Sequence, residues 1–381
     1  MTIHTEPQIT SYLFSKAVRN HIPVSGTFEL SPVCNLRCRM CYVRMTGRQV
    51  RESGRPLMKN EEWLALAKEA QKEGMLYLLL TGGEPFLYPG FRELYEKLSH
   101  MGFVISINTN GTMIDEATVR WLREYPPSRV NITLYGACAE TYGRLCGNKQ
   151  GYIKVKRAIE ALQDAGISVK LNCSLTPDNA DDLAEMVGYA KERGLILEIA
   201  SYMFPAVRRG KENVGKNYRF TPREAARYKF EIQRFQYGEE AAIEYAQKIL
   251  EGGAPPIVEE CQEIAADGSV RCRAGRAAFW VTWDGQMCPC GMMESPEVTV
   301  RGNSFRKAWN ELTELTEDIQ LSGTCSRCGG WKICRACAAM AFAETGTFEK
   351  TPEYLCRMVN AMRQEATLQL RLAERKTEIS L

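Results

Sequence analysis

Cys34, Cys38 and Cys41 fall within the run Ser31-Pro-Val-Cys34-Asn-Leu-Arg-Cys38-Arg-Met-Cys41-Tyr42. Iron in a cluster takes thiolate ligands, and a loop that offers three of them leaves one iron of a 4Fe-4S cluster without a protein ligand. That iron can take an external ligand, which is the logic of an open catalytic metal position. A zinc knuckle recruiting a distant ligand, or simply buried cysteines, are the alternatives for the same spacing.

A second cysteine field holds nine residues between Cys261 and Cys356. Cys272 is followed by twelve residues, Gly285, four residues and Cys290; then come Cys325-x2-Cys328-x5-Cys334-x2-Cys337 and a distal Cys356. Paired Cys-x2-Cys spacings suit iron-sulfur clusters and zinc ribbons alike. Cys138, Cys146 and Cys173 have no partner spacing and read as buried thiols, and the leftover Cys288 reads as a free thiol. The chain has 15 cysteines, an odd number, and its N-terminus lacks a basic segment followed by an apolar run. A cytoplasmic protein with reduced thiols is therefore expected, and metal ligation comes before disulfides. No stretch is long and apolar enough to span a bilayer, and a net charge of +3 from 49 basic and 46 acidic residues offers no field for nucleic acid or anionic membrane.

Something must position these cysteines, and the middle of the chain supplies it. β-rich runs alternate with amphipathic helical patterns from about residue 26 to 250, the grammar of βα units on a parallel sheet. The strands are expected at Gly26–Ser31, Tyr77–Thr81, Phe103–Asn108, Val130–Tyr135, Ser168–Leu175 and Leu195–Ser201. Helices follow from near Asn60, Phe91, Asp115, Ile153, Ala180 and Thr221, several closing at left-handed cap glycines, Gly74, Gly102, Gly166 and Gly194. Six units predict an α/β fold with a partial (β/α)6 TIM-like barrel, open on one side. The chemistry-bearing residues sit after strands: the cysteine loop after the first, Gly82-Gly83-Glu84-Pro85 after the second, Asn108 to Gly111 after the third. Gly252 to Pro256 marks a boundary. The expected layout is an N-terminal extension over 1–25, the barrel over 26–252, a cysteine-rich domain over 253–362 and a C-terminal helix over 363–381.

The spacing Cys34-x3-Cys38-x2-Cys41 after a first strand, with Gly82-Gly83-Glu84-Pro85 after a second, resembles the radical S-adenosylmethionine (SAM) superfamily. The resemblance implies that SAM chelates the open iron through its amino and carboxylate groups, with Gly83 and Glu84 meeting the amino group beside Gly82. Asn108, Thr133 and Asn172 are implied as further SAM contacts, and Arg144 as the partner of its carboxylate. Tyr135 stands where relatives often carry aspartate, Met40 where an aromatic residue is common, and Cys146 near a position where many have arginine. The second cysteine field resembles the SPASM domain, which carries two auxiliary 4Fe-4S clusters. By that resemblance Cys261, Cys272, Cys290 and Cys337 hold one, and Cys325, Cys328, Cys334 and Cys356 the other, three clusters in all.

Enzymes of this kind cleave SAM reductively to a 5'-deoxyadenosyl radical that takes hydrogen from a substrate. The resemblance to peptide maturases implies a peptide substrate and an oxidative product such as a thioether or carbon-carbon crosslink in a ribosomally made peptide. Formylglycine-type side-chain oxidation, or small-molecule oxidation, is the alternative; a non-catalytic iron-sulfur electron-transfer protein is the alternative of another class. An electron donor such as flavodoxin or ferredoxin is implied. Arg208, Arg209, Lys211, Lys216 and Arg219 form a basic loop that could meet an acidic leader or simply be solvated. With about 25 residues before the first strand, leader binding is expected from a separate protein or another surface. No general base stands out, and His4, His21 and His100 lie away from every motif.

Overall fold

The computed structural model describes residues 9–253, 270 and 272–380, the side chains of 376–380 excepted. Six parallel strands form where the alternation of apolar residues places them: β1 (Ser25–Glu29), β2 (Tyr77–Thr81), β3 (Val104–Thr109), β4 (Arg129–Thr133), β5 (Val169–Ser174) and β6 (Leu197–Ala200). They are hydrogen-bonded in sequential order, each to the next, in parallel register. Both faces are covered. Phe28, Leu80, Ile107, Val130, Ile132 and Leu171 are buried in the core that the helices share with the sheet.

The helices follow the sequence signals closely. Asn60–Lys72, Phe91–Ser99, Glu116–Glu124, Gly151–Asp164, Leu183–Glu192 and Pro222–Tyr237 occupy the six βα positions. Asp115 caps the third by accepting from the Thr118 backbone N–H, and Thr221 forms a capping box with Glu224 on the sixth. Gly74, Gly102, Gly166 and Gly194 all take positive φ at the ends of their helices. The result is the expected α/β partial barrel.

Two features go beyond the βα pattern. Helix Ile9–Arg19 precedes β1, and helix Ala139–Cys146 is inserted after β4. More consequential is the cysteine-rich segment, which contributes β7 (Ala278–Val281) to the barrel sheet, parallel to β1, so that Gly26 pairs with Phe279 and Phe28 with Val281. β8 (Gln286–Cys288) and β9 (Val298–Thr299) continue the sheet antiparallel. Among the described residues the sheet thus runs β6-β5-β4-β3-β2-β1-β7-β8-β9. Helix Phe305–Glu317 then docks on Asn60–Lys72, where the Phe305 N–H donates to Glu69 at 2.6 Å. The final helix, Glu353–Ser380, runs unbroken through residues 362 and 363 and packs against Pro222–Tyr237 and Glu239–Leu250.

Candidate active site

The cysteine loop leaves the C-terminal end of β1 and is pinned from two sides. On one side, the turn after β2 hydrogen-bonds it: Gly83 N–H donates to the Ser31 carbonyl at 2.6 Å and Glu84 N–H to that of Val33 at 2.9 Å. This contact explains the glycines. A Cβ on Gly82 would lie 2.4 Å from the Ser31 oxygen, and one on Gly83 2.5 Å from that of Val33. The close approach the two glycines permit is to the backbone of the cysteine loop. On the other side, Arg37 and Arg39 N–H groups donate to the Cys146 and Leu145 carbonyls at 2.8 and 3.0 Å. Those carbonyls end helix Ala139–Cys146 and would otherwise be unpaired.

Backbone and amide N–H groups point at the sulfurs. Leu36 N–H donates to Cys34 Sγ at 3.4 Å, Arg44 N–H to Cys41 Sγ at 3.3 Å, and Asn110 Nδ2 to Cys34 Sγ at 3.6 Å. Such donors stabilise negative charge on sulfur and tune a bound cluster. Burial pushes the Cys34 thiol up to about 12 and raises Cys41 as well. Cys38 is the exception. Hydrogen bonds from Cys146 and, more weakly, from Tyr135 hold it below the usual thiol range despite its burial. Cys146 is pushed up in return.

All three sulfurs face a cavity of about 360 Å³. Gly82, Gly83, Asn108, Thr133 and Asn172 line it too, drawn from the ends of β2 to β5; Tyr202, Met203, Phe204 and Asn217 close it beyond β6, and Met292 enters from the cysteine-rich segment. Three thiols with N–H donors around one cavity are a donor set that suits iron with a coordination position left over.

Two expected contacts need correction. Glu84 does not face the cavity: its carboxylate is fully buried and accepts from Thr109 Oγ1 at 2.7 Å, Asn110 N–H at 2.8 Å and Phe86 N–H at 3.3 Å. Burial outweighs those bonds and raises its pKa to about 7. It fastens the loop after β3 to the turn after β2. Arg144 also lies elsewhere, donating to Thr141 Oγ1 and to the Asp178 carbonyl, both at 3.0 Å, on the outer side of its helix. The basic loop is corrected in part. Arg208 is buried against Glu29, and Arg219 is buried in an ion pair with Glu344 while lying 3.8 Å from the centre of the Tyr354 ring. Neither is free to meet a leader.

The described cysteines of the second field lie in two places. Cys325, Cys328, Cys334 and Cys356 line one cavity of about 120 Å³ with Trp331 and Arg363, and Gly330 N–H donates to Cys328 Sγ at 3.4 Å. Cys272, Cys290 and Cys337 pack together against Val270, Met293, Ile319 and Ala338. Burial raises the Cys337 thiol to about 11, as it does that of Cys334. Cys261 lies outside the described residues. Cys288 is buried on β8, and Cys173 in the barrel core, as structural thiols would be.

Sequence reasoning passed over Asn110 and Tyr135 as site residues. Both belong to runs it had singled out; Asn110 donates to Cys34 Sγ, and Tyr135 helps to lower the Cys38 thiol.

The model of the radical SAM superfamily matches residues 28–190. An AdoMet-dependent heme synthase of Methanosarcina barkeri is 25% identical over 343 residues, covering 86% of this chain and 94% of that protein. The sporulation killing factor maturation protein SkfB of Bacillus subtilis is 25% identical over 287 residues, 74% of this chain and 63% of that protein. The crystal structure of Streptococcus suis SuiB bound to precursor peptide SuiA superposes with a TM-score of 0.65 at 16% identity, over 93% of this chain and 84% of that one. The radical SAM family binds SAM and a 4Fe-4S cluster. Residues 28–190 form the radical SAM domain of an enzyme whose C-terminal region is rich in cysteine.

Proposed function

We propose that this enzyme takes hydrogen from a peptide substrate to leave an oxidative modification, such as a thioether or carbon-carbon crosslink in a ribosomally made peptide. The carrying observation is the cavity itself. It joins Cys34, Cys38 and Cys41 to Tyr202, Phe204 and Met292, so a side chain entered from the open side of the barrel comes to rest between the cysteine loop and the cysteine-rich segment. The name of SkfB and the peptide-bound SuiB structure favour a peptide over a small molecule.

Cys34, Cys38 and Cys41 would hold the cluster whose fourth iron takes SAM. Bound there, cluster and SAM together supply a 5'-deoxyadenosyl radical on delivery of one electron, from a donor such as flavodoxin or ferredoxin. What the chain must do is hold the C–H bond near that radical and exclude groups that would quench it. Asn108, Thr133 and Asn172, at the ends of neighbouring strands, suit the polar contacts of SAM, while Met203, Phe204 and Met292 keep the substrate side apolar. Cys325, Cys328, Cys334 and Cys356 suit one auxiliary cluster, and Cys272, Cys290 and Cys337, with Cys261, another; either could accept the electron left on an oxidised substrate.

A second reading is favoured by one observation. The M. barkeri relative, named a heme synthase, is matched over 94% of its length, which supports oxidation of a small molecule. Co-expression with a short precursor peptide encoded beside this gene separates the two. A mass loss of two hydrogens per modification supports the peptide reading; an unmodified precursor, with SAM cleaved to 5'-deoxyadenosine by the reconstituted enzyme, supports the other.

A further inference from the structure

Among the described residues lining the central cavity, Arg44 alone carries a charge. Of the arginines around it, Arg208 pairs with Glu29, Arg39 with Asp178 and Arg219 with Glu344, while Arg209 donates to the Cys41 carbonyl. Arg44 has no such partner. Its side chain makes no ion pair among the described residues, and its Nε, shielded from solvent, has no hydrogen-bond acceptor. A guanidinium held this way carries an unmet desolvation cost that a bound anion relieves. No carboxylate among the described residues lines the cavity, which leaves Arg44 open to an anion from outside.

The surroundings of Arg44 narrow what that anion is. Its own N–H donates to Cys41 Sγ, while the next residue, Met45, donates to the Pro32 carbonyl at 2.9 Å and bridges to Val33. The Val33 and Pro32 oxygens are the atoms against which Gly83 packs. Arg44 therefore stands in the angle between the cysteine loop and the Gly82-Gly83 turn, beside the sulfurs rather than out at the substrate side near Phe204. Its charge is felt at Cys38. Resting on the reading that SAM occupies the iron left open by Cys34, Cys38 and Cys41, we propose that Arg44 binds the carboxylate of the SAM methionyl group. A planar guanidinium matches a carboxylate with two parallel hydrogen bonds. This gives Arg44 the role that sequence reasoning assigned to Arg144.

The test compares two ligands on three proteins. Equilibrium binding of SAM and of decarboxylated SAM, which lacks only the carboxylate, is measured on the anaerobically reconstituted parent, Arg44→Lys and Arg44→Gln. Arg44→Gln is expected to weaken SAM by about tenfold to a hundredfold, Arg44→Lys by less, and decarboxylated SAM is expected to bind all three alike. Iron content and the visible absorption of the cluster establish that each variant is loaded; should Arg44→Gln lose iron, Arg44→Lys against the two ligands carries the comparison. Unchanged SAM affinity in a loaded variant overturns the assignment. Equal weakening of both ligands also overturns it, because Arg44 would then serve the charge of the cluster and not the carboxylate. A loaded parent that binds no SAM would sink the cofactor reading itself, and this assignment with it.

Discussion

Arg208 grips Glu29 through both terminal nitrogens, Nη1 at 2.7 Å from one carboxylate oxygen and Nη2 at 2.8 Å from the other. Trp280 Nε1 donates to the same carboxylate at 2.9 Å, and Arg208 Nη1 also reaches the Gly291 carbonyl at 3.1 Å. Glu29 ends β1 just before the cysteine loop, Trp280 lies on β7, and Gly291 follows Cys290. One buried ion pair thus joins three parts of the site: the start of the cysteine loop, the loop after β6 and the cysteine-rich segment.

Removing Arg208 leaves the Glu29 carboxylate buried with Trp280 as its remaining donor. Arg208→Ala is expected to lose about 3–5 kcal/mol of stability, the cost of an unpaired buried charge. Arg208→Lys should recover only part, since an ammonium cannot meet both carboxylate oxygens and the Gly291 carbonyl in one plane. Urea denaturation of the three proteins under anaerobic conditions measures this. Equal midpoints for the parent and Arg208→Ala would show that the pair contributes nothing.

Gly83→Ala tests whether the turn after β2 sets the position of the sulfurs. Its Cβ would meet the Val33 and Pro32 oxygens at 2.5 and 2.6 Å, both backbone atoms, so the loop that carries Cys34 must move. Overpacking of this kind costs about 1–3 kcal/mol. A shift near 1 Å at the reacting centre costs roughly a hundredfold in rate. The expected outcome is a folded protein whose 5'-deoxyadenosine formation falls by about that factor. Parent-like formation would mean that the loop tolerates the shift.

These features were legible in the sequence to different depths. The βα units could be read because the apolar run of Tyr77–Thr81, the alternation in Val169–Ser174 and the cap glycines are local signals. The cysteine loop could be read because its ligands lie within one turn of chain. β7 could not. Ala278–Val281 is a short apolar run in a segment without βα grammar, and its partner β1 lies about 250 residues earlier. The Glu29–Arg208 pair spans 179 residues, and nothing local marks either end. Arg144 was misplaced because sequence assigns a residue to a helix more readily than to the face that meets the cavity. Glu84 was misread for a related reason: a carboxylate after a Gly-Gly turn invites a ligand, whereas Thr109 and Asn110, on the neighbouring strand and its loop, already satisfy it.

Glu84 should leave a signature in stability against pH. Its folded pKa, about 7, stands above the ordinary 4.5 because burial penalises the charge. The folded state therefore holds the proton more tightly than the unfolded chain. That contribution to stability is fully present below pH 4.5 and is lost as pH rises to about 7. Glu84→Gln cannot titrate. Relative to the parent, the variant should gain up to about 3 kcal/mol across that window, although it begins lower because an amide cannot accept all three donors. Denaturation midpoints of both proteins at several pH values test this, and a constant difference would rule the effect out.

Cys146 acts directly on the Cys38 thiol, lowering it while its own is raised, and the two should respond differently to the same substitution. Cys146 is fully buried at the end of its helix, and its backbone carbonyl anchors the cysteine loop whatever its side chain. Cys146→Ala should therefore retain the iron of the first cluster and form 5'-deoxyadenosine, with the cluster reduction potential moved because one donor to the Cys38 sulfur is gone. Cys38→Ala should lose the iron of the first cluster, about four atoms per chain, and with it SAM cleavage. Loss of iron from Cys146→Ala equal to that from Cys38→Ala would make Cys146 a ligand, and the open iron on which the site depends would then be closed by a fourth thiolate.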